Sequence, residues 1–503
     1  MKDTNLLRNV DGIIHVPFLI KGNIVKPSDL IREQIETAFA GMDKDVRYRK
    51  LPEGQLIREP IIDRISMKYT GDYTYQVMPP VNAQDLIETD IDKLVRGPYA
   101  LSVEDILGYL ESIAAILGNN LDLVGRVIEM SRLTSEFPDS FLDNWFASIH
   151  RFINRDIARQ MIVSEMALWG KPGSEFLNGW VEVSPKSFIR AMPTRQLHIT
   201  AGNTPEVPVI SALRAILTKS AAVIKLPFGA TLTGSMLAMA AASMPDHPLT
   251  QNLSLVYWQG GDESIENELF TPNAFDRIVV WGSPETVNSV QPRVGYTRSI
   301  FFNPRFGISL IGREAFTNRL EEASELAATD SLIYNQKAYT SSLVHYLEGT
   351  EEQANQYAGI LCQTLRKWDD TVPQFISSSA RGQIKSMRRG KYGGAQWYVN
   401  EKDGEFTSGI VVIPGEFDIL DHPMCRLVIV HHVNQLSEAL KYVHPGVSTA
   451  GVYPEERRLV LRDSLLARGV SNVLPLGQCE RLFAGMPHDG LPVLSQLVDW
   501  KNS

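Results

Sequence analysis

Apolar residues recur three or four positions apart in the segment 102–170, which is the spacing of one helix face. The first of them are Ile106, Leu110, Ile113, Ile116 and Leu117. Ser102 precedes this series and can cap a helix, with Glu104 assisting in the first turn. The pattern predicts a helical segment, whereas residues 1–100 show only short strand-like runs, such as 13–20, between proline and glycine turns.

From residue 196 onwards, short apolar runs alternate with amphipathic segments. The runs predict strands at 196–200, 221–226, 253–258 and 277–281. The segments between and after them predict helices at 208–220, 230–244, 264–269 and 285–291. Strands joined by helices imply a parallel sheet that is covered on both faces. Ligands bind at the carboxyl ends of such strands, where the Gly- and Asn-bearing turns of this segment fall.

A second alternating region follows between residues 307 and 474. Its apolar runs lie at 307–311, 408–413 and 426–431, and it ends with a helix near 455–468 and a strand at 470–474. The tail is rich in turns from 484 to 490 and closes with a short helix in 491–500. Two such regions predict an α/β protein with two parallel-sheet lobes.

Composition and charge narrow the class of protein. A chain of 503 residues is too long to form one simple hydrophobic core. Its net charge of −9 argues against a nucleic-acid partner. The three cysteines, Cys362, Cys425 and Cys479, are widely spaced, so neither disulfides nor a metal site are expected. The most apolar segment, 234–244, is too short to span a bilayer, and no secretory signal is recognisable. We therefore expect a cytoplasmic enzyme or binding protein.

Four segments give the chain a resemblance to the aldehyde dehydrogenases. They are the loop around Asn203, the strand ending in Lys225, the Gly282-Ser283 turn, and Asn335-Gln336-Lys337-Ala338-Tyr339-Thr340, which is similar to the family's Asn-Gln-x-x-Cys-Thr. They occur in the family's order and at about its spacing. The resemblance covers roughly residues 95–490, and each segment alone is only moderately specific.

Within that superfamily the chain looks most like the long-chain acyl-CoA reductases of luminous bacteria. The segments that carry this likeness are 15–20, 305–314 and Pro487-His488-Asp489-Gly490. The resemblance implies two Rossmann-like parallel-sheet lobes with a helical N-terminal region and a short C-terminal extension. The implied domains are an N-terminal region at 1–95, a dinucleotide-binding domain at 96–300, a catalytic-type domain at 301–475 and the extension at 476–503.

The resemblance also implies roles for residues at the strand ends. Asn203 matches an asparagine that donates to an oxyanion, an interaction worth ~3 kcal/mol; an ordinary turn asparagine is the alternative. Lys225 matches a lysine that reaches the ribose of a dinucleotide, unless it is a solvated strand-end lysine. Gly282 and Ser283 match a pyrophosphate-binding helix start, and Thr204 is assigned to the cofactor as well. Because residues 226–229 lack an acid for an unphosphorylated ribose, NADPH is favoured over NADH.

Tyr339 stands where the family has its nucleophilic cysteine. A phenol has a pKa of about 10 against about 8.5 for a thiol, and it attacks thioesters poorly. The family's general-base glutamate is also absent from 299–303, although a reductase that does not hydrolyse an acyl-enzyme needs no such base. Cys425 follows a loop that resembles the family's loop near the nicotinamide ribose, but a small buried hydrophobe is the simpler interpretation.

Three functions remain open at this point. The first is NADPH-dependent reduction of an acyl thioester, on coenzyme A or a carrier protein, to an aldehyde. Tyr339 would donate a proton with support from Lys337 or Asn203, or another thiol would act. The second is an inactive homologue that binds thioester or dinucleotide, or a scaffold for an acyl-activating or acyl-transferring protein. The third, aldehyde oxidation, needs both the thiol and the base. We expect a homo-oligomer.

Overall fold

The computed structural model describes residues 6–295, 297–481 and 484–503. A first seven-stranded sheet has the order Arg298–Phe302, Arg277–Trp281, Arg195–Ile199, Ala221–Lys225, Leu253–Val256, Phe18–Ile20 and Asn23–Val25. The first five of these strands are parallel, and the last two form an antiparallel hairpin at the edge. The four strands predicted between residues 196 and 281 are therefore confirmed to within a few residues.

A second seven-stranded sheet has the order Gln396–Lys402, Glu405–Val412, Leu427–Val433, Ser342–Glu348, Phe306–Ile311, Val447–Tyr453 and Asn472–Pro475. Its strands are parallel except at the edge strand Gln396–Lys402. The central strand Ser342–Glu348 was not predicted, because its Ser, His and Glu residues interrupt the apolar run although all seven residues are buried. The two parallel sheets confirm the predicted α/β class.

Two smaller sheets complete the β-structure. The N-terminal sheet has the order Arg8–Val10, Ile13–His15, Lys68–Met78, Gly54–Asp63 and Tyr48–Leu51, and a three-stranded sheet has the order Asp499–Asn502, Ser187–Met192 and Val181–Ser184. The run 13–20 thus contributes strands to two different sheets. The tail, predicted as a helix only, ends in a strand because Trp500 pairs with Ala191, far away in sequence.

The helical segment that the sequence predicted from residue 102 begins after the first hundred residues. It comprises Val103–Asn119, Leu121–Arg132, Asp139–Phe152, Arg155–Glu165 and Gly173–Asn178. Ser102 caps it as predicted, but Asp105 rather than Glu104 completes the capping box: Asp105 donates its N–H to Ser102 Oγ at 3.1 Å, and its carboxylate accepts the Ser102 N–H at 2.8 Å. Residues 6–100 contribute strands and the short helices Arg32–Ala38, Ala83–Leu86 and Ile91–Arg96.

The remaining helices cover the two large sheets. Those of the first sheet are Val207–Leu217, Thr231–Ala242, Pro248–Gln251, Glu263–Leu269 and Pro284–Val290. Those of the second sheet and the tail are Leu320–Leu332, Glu351–Thr371, Ser378–Arg388, Glu455–Leu466 and Val493–Leu497. Separate apolar cores lie around the two sheets. Within the described ranges, no helix combines the length and apolar character needed to cross a membrane.

The strand order of the first sheet marks a place for ligands. From Arg195–Ile199 the chain adds strands on one side and then returns to add Arg277–Trp281 on the other. The crevice between the carboxyl ends of these two strands is the topological switch point, where ligands bind in open α/β sheets. The residues that follow these ends, from Thr200 and from Gly282, lie in this crevice.

Candidate active site

A cavity of about 1130 Å³ opens between the two large sheets. Its wall combines residues that follow the carboxyl ends of the first sheet's strands with residues that precede or begin strands of the second sheet, such as Phe306, Leu343 and Asn472. All six predicted site residues contribute to this one wall: Asn203, Thr204, Lys225, Gly282, Ser283 and Tyr339. The structure therefore brings together residues that are up to 136 positions apart in the sequence.

Asn203 lies in the loop after the strand Arg195–Ile199 and points across the cavity. Its side-chain amide donates a hydrogen bond to the backbone carbonyl of Lys337 at 3.0 Å. That carbonyl is two residues before Tyr339, so the predicted oxyanion donor and the predicted catalytic tyrosine are on facing loops. This bond uses one of the two N–H donors of the amide, and the second donor is available to a substrate oxygen.

The loop that carries Tyr339 is held in an unusual backbone conformation. Three consecutive residues, Tyr334, Asn335 and Gln336, have φ values of 55, 52 and 62°. A second left-handed run faces it at Met424, Cys425 and Arg426, with φ values of 57, 55 and 64°. Left-handed non-glycine residues cost about 1–3 kcal/mol each and cluster at functional sites.

Side-chain amides from the first run hold these two segments in place. Asn335 donates to the carbonyl of Phe375 at 2.9 Å, and Gln336 donates to the carbonyl of Leu427 at 2.7 Å. Both side chains are buried. The surrounding structure thus determines the conformation of the loop before Tyr339.

The Tyr339 ring packs against the tail of the chain. Its centroid is 5.0 Å from that of His488, which in turn lies 5.0 Å from Trp281 and 4.9 Å from Phe302. Burial, followed by the carboxyl groups of Asp489 and Glu480, raises the pKa of Tyr339. The raised pKa of Tyr339 disfavours the phenolate, which is the form that could attack a thioester.

Lys225 ends its strand with a buried ammonium group. It lies 5.6 and 5.3 Å from the ring centroids of Tyr257 and Trp258 and makes no hydrogen bond within the described part of the chain. Burial lowers the pKa of Lys225 to about 8. A buried cation with unused donors in a cavity wall fits a ligand that offers oxygen acceptors.

The turn at Gly282 and Ser283 lies at the other side of the switch point. Ser283 is the N-cap of the helix Pro284–Val290, and its hydroxyl accepts the N–H of Thr286 at 3.5 Å. Thr204 is buried in the cavity wall, close to the carboxyl group of Glu206. Its assignment to the cofactor stays a prediction.

Two carboxyl groups in the cavity wall were not predicted as site residues. Burial raises the pKa values of Glu206 and Glu480 to about 7 each. Tyr334 lies close to Glu206, and one carboxyl oxygen of Glu206 is buried without a partner in the described chain. Thr340, next to Tyr339, donates to Glu480. Both groups are near half-protonation at neutral pH, as acid–base groups require.

Arg214 was also missed, because it lies inside the helix Val207–Leu217 and belongs to no recognisable motif. It is only 5% exposed, lines the cavity, and its Nε and Nη1 atoms have no hydrogen-bond partner among the described residues. Lys337, which the sequence suggested as support for Tyr339, pairs its ammonium with Glu136 instead.

The cysteines do not replace the missing thiol. None of Cys362, Cys425 and Cys479 lines the cavity as described, and burial raises the pKa of each thiol. Cys479 donates its S–H to Asp330 at 3.0 Å. Cys425 is a buried residue next to Met424, which does reach the cavity.

One side of the cavity is apolar. It is built by the helices Asp139–Phe152, Arg155–Glu165 and Val207–Leu217. The contributing side chains are Trp145, Phe152, Ile157, Met161, Ile210 and Leu213. This wall suits a hydrocarbon chain, because burying apolar area is favourable at roughly 25 cal/mol per Å².

Comparison with protein families places the chain. A family model described as acyl-CoA reductase (LuxC) matches residues 99–500. The chain belongs to this family. The match confirms the resemblance found in the sequence and includes the whole of the cavity wall, since every lining residue lies after residue 99.

Individual relatives are more distant. A long-chain acyl-protein thioester reductase of Photorhabdus laumondii is 29% identical over 335 residues, which are 63% of this chain and 65% of that protein. One from Vibrio harveyi is 27% identical over 317 residues, 62% of this chain and 64% of that protein. The chain thus spans slightly less than two thirds of the length of these relatives.

Solved structures confirm the fold. An aldehyde dehydrogenase from Brucella melitensis biovar abortus has a TM-score of 0.68 with 13% sequence identity, over 100% of this chain and 98% of that chain. The chain therefore has an aldehyde-dehydrogenase-like fold.

Proposed function

We propose that the protein reduces a long-chain acyl thioester to an aldehyde with NADPH, without an acyl-enzyme intermediate. The observation that carries this proposal is the position of Tyr339, a protonated phenol in the cavity wall beside the Asn203 loop. Relatives of the chain are named long-chain acyl-protein thioester reductases. Membership of the acyl-CoA reductase family supports the reaction class.

The residues present fit a dinucleotide. Lys225 offers three unused donors to ribose hydroxyls or a 2′-phosphate, and Gly282 and Ser283 would lie beside the pyrophosphate at the switch point. When bound, the reduced cofactor supplies the hydride equivalent that is added to the carbonyl carbon. NADPH is preferred because no acid follows Lys225, and because Glu266 is neutralised by Arg293 at 2.8 Å.

Tyr339 and Asn203 would act on the carbonyl oxygen of the thioester. As the carbonyl carbon gains a hydride equivalent, its oxygen takes the proton of the Tyr339 hydroxyl, which leaves a phenolate and a hemithioacetal. The Asn203 amide would donate its second N–H to this oxygen while the first keeps its bond to the Lys337 carbonyl. The hemithioacetal proton then returns to Tyr339 while the carbon–sulfur bond breaks, and the released thiolate takes a proton from water.

The acyl chain would lie along the apolar wall of Trp145, Phe152, Ile157 and Leu213. Whether coenzyme A or a carrier protein bears the acyl group is tested by offering both thioesters. We expect both the rate and the KM to depend on chain length, because each buried methylene contributes about 0.8 kcal/mol.

The second candidate is an inactive homologue that binds the thioester or the dinucleotide. The observation that favours it is the lack of a cysteine in the described cavity wall. Such a protein would bind both ligands without turnover.

The deciding experiment follows NADPH absorbance with purified protein and acyl thioesters of several lengths. We expect turnover by the wild type and a fall of ~10²–10⁴-fold in Tyr339→Phe, which loses the proton donor. The matched variant Tyr339→Cys tests whether the site still accepts the family nucleophile. A Tyr339→Phe variant as fast as an active wild type would exclude the tyrosine mechanism. Binding without any turnover would support the inactive homologue.

A further inference from the structure

Arg214 occupies a position where burial of its charge costs stability. Its helix, Val207–Leu217, is buried on nearly all sides, and the side chain is 5% exposed. Two of its guanidinium nitrogens lack a partner in the described structure, and no ion pair within 4.0 Å involves it there. Burying a guanidinium whose hydrogen bonds are incomplete costs free energy, so burial alone does not explain the residue.

The groups that face Arg214 come from four other elements. Trp281, at the end of its strand, has its ring centroid 5.7 Å from the guanidinium carbon. Glu165, Asp489 and Tyr339 act on its charge through space, and the Glu165 carboxylate is already held by the N–H of Leu494 at 2.9 Å. Trp281 also contacts the His488 ring, which contacts the ring of Tyr339. Arg214 and Tyr339 therefore lie in the same part of the cavity wall.

Apart from Arg214, the charges around Tyr339 oppose the loss of the proton from its hydroxyl group. Asp489, Glu480 and Glu206 oppose a phenolate, whereas Arg214 favours it. His488, in ring contact with Tyr339, is uncharged at neutral pH because burial lowers its pKa to about 3. Lys337 is neutralised by Glu136.

We propose that Arg214 is a positioning residue that stabilises the phenolate of Tyr339 while the hydroxyl proton resides on the substrate oxygen. This inference rests on the proposed function. No covalent bond to Arg214 forms or breaks: the proton moves from Tyr339 to the oxygen and returns when the carbon–sulfur bond breaks, and the guanidinium supplies only its fixed positive charge. A fixed cation in the cavity wall stabilises a negative charge that develops near it.

The first test is a double-mutant cycle with Arg214→Met and Tyr339→Phe. We expect Arg214→Met to lower kcat by ~10–10³-fold in the wild-type background and to have little effect when Tyr339 is already Phe. Arg214→Lys keeps the charge and is expected to retain more of the rate. Equal losses in both backgrounds would overturn the proposal.

Stability separates this role from a structural one. Arg214→Met removes a buried, unbonded charge and is expected to leave the melting temperature unchanged or higher. The matched control is Arg58→Met in the N-terminal sheet, where the guanidinium donates to the carbonyls of Asp43 and Val46 at 2.7 and 2.8 Å. The control should lower the melting temperature and leave kcat unchanged. A large loss of stability in Arg214→Met would count against the proposal.

A measurement without turnover keeps the proposal testable if the protein proves inactive. A fluorinated tyrosine, whose phenol is more acidic, is placed at position 339 and titrated by ultraviolet absorbance. Replacing Arg214 by Met should raise the phenol pKa by about one to two units, as removal of a nearby opposite charge does. An unchanged pKa would overturn the inference about Arg214, whereas absent turnover with a shifted pKa would overturn only the proposed function.

Discussion

The raised pKa of Glu206 makes a quantitative prediction about stability and pH. The group has an ordinary pKa of 4.5, and burial raises it to about 7 in the folded protein. Below pH 4.5 the folded and unfolded chains both hold this proton. Between pH 4.5 and 7 the unfolded chain releases it first, so stability falls as the pH rises through this range. Above pH 7 the group is ionised in both states, and the folded protein carries the full cost of the buried carboxylate.

The size of the effect follows from the shift. A change from 4.5 to about 7 corresponds to at most about 3 kcal/mol. Solvent in the cavity screens the group, so about 1–2 kcal/mol is the realistic expectation. Glu206→Gln keeps the size of the side chain and an acceptor oxygen but cannot ionise. The variant should therefore gain stability over the wild type between pH 5 and pH 8 by this amount.

The assay is denaturant unfolding of wild type and Glu206→Gln across that pH range. The matched control is Glu285→Gln, since Glu285 is an exposed carboxylate on the same cavity and Ser283 lowers its pKa. The control should not gain stability with rising pH. Parallel pH curves for wild type and Glu206→Gln would show that Glu206 ionises normally in the folded state, and the argument for its burial would be refuted.

Three further predictions concern named side chains. Asn203→Ala should lower kcat for thioester reduction by ~10²–10³-fold, the loss of one oxyanion donor, with a smaller change in KM; steady-state kinetics measure both. Lys225→Ala should weaken NADPH binding by about ten- to a hundredfold in a fluorescence titration, because charge-assisted hydrogen bonds of ~1.5–3 kcal/mol are lost. Arg426→Met should destabilise the fold by about 3–5 kcal/mol in denaturant unfolding, because Asp369, bonded to Arg426 at 2.6 Å, stays buried without its cation. An unchanged kcat in Asn203→Ala would contradict the first prediction. An unchanged NADPH affinity in Lys225→Ala would contradict the second, and an unchanged unfolding midpoint in Arg426→Met the third.

Much of the first lobe was predictable from the sequence, because its signals are local. The strands at 196–200 and 277–281 are continuous apolar runs, and each is followed within a few residues by a distinctive turn. Asn203, Lys225 and Gly282 lie at these strand ends and turns, and the resemblance to the aldehyde dehydrogenases implied their roles. Each lies directly after or at the end of a parallel strand, and the carboxyl ends of neighbouring strands meet at one edge of a sheet.

Other elements escaped because their environment is set by distant residues. The strand Ser342–Glu348 is polar in composition, yet it is central in its sheet and its polar groups find partners there: His345 bonds to Ser331 at 2.8 Å and to Tyr357 at 2.9 Å. The final strand Asp499–Asn502 exists because Ser187–Met192 offers it an edge. The distant residues that stabilise these two strands cannot be recognised from the sequence of either strand alone.

The charges around Tyr339 were decided by the tertiary structure alone. Arg214, Glu206, Glu480 and Asp489 come from a helix, its preceding turn and the tail, and only the packing of the tail over the cavity brings them together. The sequence determined that residue 339 is a tyrosine and therefore not a thiol nucleophile. What that tyrosine can do depends on burial and on the sign of the nearest charges, which are properties of the folded cavity and not of any local pattern.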